Sequence, residues 1–81
     1  MCTDMKHHME YGDSDMTTFG EVSQLQYFLK LNGYFNYKVT GYYFRITKEA
    51  VKAFQRDNNL IISGIAGKVT REKMREVGCV R

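Results

Sequence analysis

Thr40-Gly41-Tyr42-Tyr43-Phe44-Arg45-Ile46-Thr47 returns later in the chain as Ser63-Gly64-Ile65-Ala66-Gly67-Lys68-Val69-Thr70. Gly64 follows Gly41 by 23 residues, and in that register two positions are identical and three are conservative. Each copy has a glycine loop that runs into an amphipathic stretch. In the first stretch Ala50, Val51 and Phe54 share one side, with Lys48, Lys52 and Arg56 at four-residue steps on the other; in the second, Met74 and Val77 point inward. Thr47 and Thr70 stand where a hydroxyl N-cap belongs, each followed two residues later by a glutamate, Glu49 or Glu72. Ile46 and Val51, and likewise Val69 and Met74, have the spacing of a hydrophobic staple around such a cap.

Upstream of the first loop, Val22, Leu25, Phe28 and Leu29 follow steps of three and four, with Leu31 widening the stripe, and this predicts another helix. Asn32-Gly33 supplies a left-handed stop, and Tyr34 falls where it can close a Schellman ending. Asn58-Asn59 ends the next helix, and Gly78 the last. Val22, Leu25 and Gln26 answer Val51, Phe54 and Gln55, so each half reads helix, turn, glycine loop, threonine. Two copies are too few for a solenoid. The expectation is an all-α fold, a small three-helix bundle built from two short repeats, with Leu25, Leu29, Val51, Phe54, Leu60 and Met74 in its core. Residues 1–16 show no apolar period and are expected to form an N-terminal arm to a domain over 17–81.

The chain of 81 residues suffices for one small domain and excludes a large enzyme core. No apolar run exceeds three residues, so it contains neither a membrane span nor the core of a signal peptide. The net charge of +3 leans toward anionic partners but is far from a nucleic-acid signature. A nucleic-acid role for the basic stripe of the second helix is countered by the interspersed Glu49, Asp57, Glu72 and Glu76. His7-His8 lack the spacing at which two imidazoles converge on one metal. Asp13-Ser14-Asp15 lacks the later glycine and glutamate of a calcium loop. No acidic residue falls in the expected core, where burial would raise its pKa for proton transfer, so catalysis, cofactors and metals are not expected.

The ordered set resembles the peptidoglycan-binding domain family, the small helical module that accompanies bacterial wall hydrolases and envelope proteins. The likeness covers roughly residues 9–78. It rests on Val22-Ser23-Gln24-Leu25-Gln26 with Leu29 and Asn32-Gly33-Tyr34, on Thr40-Gly41-Tyr42-Tyr43 through Thr47 with Ala50-Val51 and Phe54-Gln55, and on Leu60 with Ser63-Gly64-Ile65-Ala66-Gly67 to Thr70. The resemblance implies a non-catalytic module that binds cell-wall peptidoglycan, without cofactor or membrane insertion, as a monomer in the extracellular space or cell envelope. It also places Tyr34 and Tyr43 at buried aromatic positions. The family usually carries Asp before each loop glycine, where this chain has Thr40 and Ser63, and a second glycine where this chain has Phe44. A hydroxyl can still bond the loop amides, more weakly than a carboxylate.

Tyr37, Tyr42 and Phe44 are the aromatic residues free to meet a ligand, since flat rings suit the apolar faces of sugars; Arg45 beside them could grip a carboxylate bidentately. Should these serve the core instead, the second loop around Ile65 and Lys68 is the alternative surface. The same exposed aromatics would also serve a protein-interaction or structural domain of an envelope or virus-like particle. Cys2 and Cys79 resemble the terminal staple of some exported family members; two unrelated free thiols are the alternative. A bridge would close nearly the whole chain, worth about 4.5 kcal/mol on the loop-entropy scale, and would suit an oxidising compartment. If the bridge forms, non-reducing mass spectrometry of the folded protein gives a mass two protons below that of the reduced chain; two freely alkylated thiols refute it.

Overall fold

A computed structural model describes residues 4–78. Cys2 and Cys79 lie outside them. The architecture is all-helical: α1 (Asp15–Thr18), α2 (Glu21–Leu31), α3 (Arg45–Asp57) and α4 (Lys68–Gly78). The three expected helices are therefore joined by a one-turn α1, too short to leave a periodic signal.

Helix α2 starts at Gly20, whose φ of 84° turns the chain sharply. Its first turn is capped from outside, because the Asp15 carboxylate accepts from the Ser23 amide (2.8 Å) and from the Ser23 hydroxyl. At the far end Tyr34 N–H donates to Leu29 O (2.8 Å) and Gly33 N–H to Lys30 O (3.2 Å), with Gly33 at φ 85°. This is a Schellman ending. Helix α3 stops the same way: Leu60 N–H donates to Gln55 O (2.9 Å) and Asn59 N–H to Arg56 O (3.3 Å), with Asn59 left-handed at φ 58°. Even the side chains repeat, Asn32 Nδ2 donating to Phe28 O and Asn58 Nδ2 to Phe54 O, both at 2.8 Å.

The starts of α3 and α4 depart from expectation. Helix α3 begins two residues before Thr47, with Phe44 as an extended N-cap that makes no side-chain cap bond, and α4 begins at Lys68. Thr47 and Thr70 sit inside the helices, buried, and serve as acceptors rather than caps. The staples do not form either, since Ile46 and Val69 are exposed. Leu31 and Val77, expected on apolar faces, are also exposed.

The core gathers Leu25, Leu29, Val51, Phe54 and Met74, all essentially without solvent contact, and Leu60 packs partly buried against them. Phe54 is central: Phe28 and Tyr34 meet its ring edge-on, at centroid distances of 5.6 and 5.7 Å. Tyr43 is fully buried, as its family position implied, and Tyr34 half-buried, its hydroxyl donating to Asp57 Oδ2 (2.8 Å).

Residues 4–14, expected as an arm, instead form a strap that completes the core with Met5 and Met9. Met9 pairs with Ala66 through Met9 N–H to Ala66 O (3.2 Å) and Ala66 N–H to Met9 O (2.8 Å). Farther along, Gly12 N–H donates to Tyr43 O (2.8 Å), Tyr43 N–H to Asp13 O (2.9 Å) and Asp15 N–H to Gly41 O (2.9 Å). The strap thus bonds both glycine loops. It escapes a periodicity test because isolated bridges hold it, not a helix or strand.

Glu21, absent from the expected core, is buried and fastens the strap to α2. Its Oε1 accepts from His7 N–H (2.8 Å), and the His7 ring nitrogen Nδ1 lies 3.0 Å from Oε2, off hydrogen-bond alignment. Burial disfavours the charge, but backbone hydrogen bonds from Lys6 and His7 and the nearby His7 ring outweigh it and hold the carboxyl below its usual range. Its stabilising effect is accordingly present above the unfolded carboxylate pKa and is lost as pH falls through the lowered value.

With its ring wedged between two others, Phe54→Ala should cost about 3–5 kcal/mol, enough to unfold much of so small a domain. Urea denaturation followed by far-UV circular dichroism checks this, and a loss under about 1 kcal/mol would contradict a central Phe54.

Candidate functional site

Each glycine loop is built on one buried glutamine. From α2, Gln26 Oε1 accepts from the amides of Thr40 (3.0 Å) and Gly41 (2.9 Å), while Nε2 donates to Tyr42 O (2.9 Å), Thr47 Oγ1 (2.9 Å) and Thr40 Oγ1 (3.3 Å). From α3, Gln55 repeats the set: Oε1 accepts from Ser63 and Gly64 (both 3.0 Å), and Nε2 donates to Ile65 O (3.0 Å), Thr70 Oγ1 (3.0 Å) and Ser63 Oγ (3.3 Å). A primary amide can do this because it offers acceptor and donor on one planar end; a carboxylate or an alcohol cannot. Thr40 and Ser63 then complete the turns, their hydroxyls accepting from Tyr42 N–H (3.2 Å) and Ile65 N–H (3.1 Å). The hydroxyl thus occupies the role expected of an aspartate.

Gly41 and Gly64 take φ of 81° and 78°, conformations that other residues adopt at a cost. Space forbids a side chain as well. A Cβ on Gly41 would meet Asp15 Oδ2 at 2.6 Å, and one on Gly64 would meet Lys48 Cγ at 2.9 Å.

The glutamine frame sorts the aromatics. Tyr43 turns inward and its hydroxyl donates to Gly64 O (2.6 Å), joining the two loops. Burial, with the charges of Asp13 and Glu10, pushes its pKa far above the ordinary phenol value, so it remains a donor. Tyr42 turns outward, 55% exposed, and its ring lies nearly parallel to Phe44 (centroids 5.8 Å apart, 6° between planes). Tyr11 from the strap meets the other flank of Phe44 at 5.8 Å.

Tyr37, Tyr42, Phe44 and Arg45 all line one open groove of about 410 Å³. The polar frame of Gln26, Thr40 and Thr47 borders it, and Phe35 and Ile46 supply further apolar wall. Sequence reasoning assigned Ile46 to a staple and so missed it; starting the helix at Arg45 is what turns it outward. Among the described residues no carboxylate lines this groove. Among the described residues no group of three or more His, Cys, Asp or Glu comes together as a metal site. Likewise, no helix of the described residues is long and apolar enough to cross a membrane.

The comparisons agree with this construction. The sequence matches the peptidoglycan binding domain family over residues 20–74, and the chain belongs to that family. Its structure is similar to the crystal structure of the SleB N-terminal domain, with a TM-score of 0.82 and 29% identity, covering 89% of this chain and 93% of that one. Among curated proteins the sequence has no significant match.

Replacing Gln26 by leucine keeps the volume but strips the buried Gly41 amide and Thr47 hydroxyl of their partner. At about 1–3 kcal/mol per orphaned group, Gln26→Leu and Gln55→Leu should each lower stability by about 2 kcal/mol or more. Thermal denaturation of the two variants measures it, and a loss under about 0.5 kcal/mol in both would remove the glutamines from this role.

Proposed function

We propose that the protein is a non-catalytic module that attaches to bacterial cell-wall peptidoglycan through the groove of Tyr37, Tyr42, Phe44 and Arg45. The observation that carries the reading is the near-parallel Tyr42 and Phe44 pair beside Arg45, presented on a frame of the peptidoglycan-binding family. Exposed flat rings stack on the apolar faces of sugars, and the planar Arg45 guanidinium beside them offers paired donors to the polymer's oxygens. Among the described residues no carboxylate or histidine lines the groove, which favours holding over carboxylate-driven hydrolysis. The resemblance to the SleB N-terminal domain supports the same reading. Such a module works by tethering: modest affinity raises local concentration once another site engages the same polymer. The setting that follows is extracellular or cell envelope, where pairing of Cys2 with Cys79 is the natural redox state. The module acts as a monomer, and its partner is the wall polymer rather than nucleic acid.

Purified sacculi should retain the wild-type protein, whereas duplex DNA and an unrelated protein matrix should not. Tyr42→Ala should weaken sacculus binding by about 1 kcal/mol or more while changing stability by less than about 0.5 kcal/mol. Absence of sacculus binding by the folded wild type overturns the proposal and favours a protein-interaction domain. Retained binding by a destabilised Tyr42→Ala moves the site away from the first loop.

A further inference from the structure

The groove at the first loop has a repeat-related counterpart. Tyr42, Phe44, Arg45 and Ile46 correspond, 23 residues on, to Ile65, Gly67, Lys68 and Val69. All four of the latter line a second open groove, of about 360 Å³. The two share a backbone frame, since Gln55 holds Ser63, Gly64 and Ile65 through the same bonds by which Gln26 holds Thr40, Gly41 and Tyr42.

Their surfaces differ in chemistry. Among the described residues no aromatic ring lines the second groove. Its walls are aliphatic, with Ile61, Val69 and Ile65 exposed, and where Phe44 fills the first groove Gly67 leaves room, nothing lying within 4 Å of an added Cβ. The cation at the first helical residue is preserved as Lys68, and the stems of Lys48 and Lys52 lie against Gly64 beside it. Among the described residues, neither Lys48 nor Lys68 is paired with a carboxylate. Branched aliphatic walls suit methyl groups rather than flat ring faces, and unpaired ammonium groups suit a carboxylate.

We propose that the second groove is a distinct subsite that takes the alanyl and carboxylate groups of the wall's peptide stem, while the aromatic groove takes the glycan. The proposal rests on the wall-binding reading above and divides the polymer between the two repeats. Tyr43 ties the loops together and the strap bonds both, so the grooves are held in fixed relation.

The test is a two-dimensional amide NMR titration of the full chain with two probes, chitotetraose and the sugar-free peptide L-Ala-γ-D-Glu-L-Lys-D-Ala-D-Ala. The peptide should shift the amides of residues 64–69, and chitotetraose those of residues 40–46. Lys68→Glu should weaken the peptide about fivefold or more and leave chitotetraose unchanged, as should Ile65→Ser, which alters no charge. A peptide that shifts residues 40–46 instead, or that does not bind while chitotetraose does, overturns the division and leaves wall binding standing. Failure of both probes, together with failure of the wild type to bind sacculi, overturns both.

Discussion

A single side-chain amide, placed twice, organises this protein. Loops carry backbone groups that must be satisfied, and among the described residues no sheet satisfies them. Gln26 and Gln55 meet the demand from inside, each spending its whole hydrogen-bonding capacity on one loop. Burying an amide is unfavourable by itself; here every polar atom is matched, and the bonds gain strength from the low-dielectric interior. The threonines complete the arrangement. Thr47 and Thr70 give up capping, so α3 and α4 start without side-chain caps and tether their first turns to the helix behind them instead.

From that constraint the site follows. With the backbone of residues 40–42 pinned, consecutive side chains must alternate, and Tyr43 and Tyr42 part ways, one to knit the loops together and the other to face solvent. The two roles are interdependent. The inward Tyr43 hydroxyl bonds Gly64 O while the neighbouring Tyr42 ring lies outside against Phe44, so one stretch of backbone serves both the core and the surface.

Much of this was legible in the amino-acid sequence because the repeat is local and the helix endings are chemical. Asn32-Gly33 and Asn58-Asn59 announce Schellman endings through residues that tolerate the left-handed region. An outward Tyr42 beside an inward Tyr43 follows the alternation of an extended stretch, whereas nothing periodic in the sequence brings Tyr37 and Arg45 to the same groove. Helix starts were not. Thr47-x-Glu49 satisfies a capping rule that concerns nearest neighbours, and a glutamine 21 residues earlier claimed the hydroxyl instead. The strap was hidden for a related reason: Met5 and Met9 carry no period, and their burial depends on a crevice formed by loops far along the chain. Glu21 opens α2 as an ordinary first-turn carboxylate would, and only its contact with His7 makes it a fastener.

The strap also bears on how such modules are cut and joined. The family match begins at residue 20, yet Met9 fills the core and its backbone completes that of Ala66. Transplanting the family segment alone would leave a hydrophobic trench and several backbone groups facing water, an invitation to self-association. The working unit of inheritance, for a grafter or for evolution shuffling domains, is therefore the helices together with the non-helical residues that precede them.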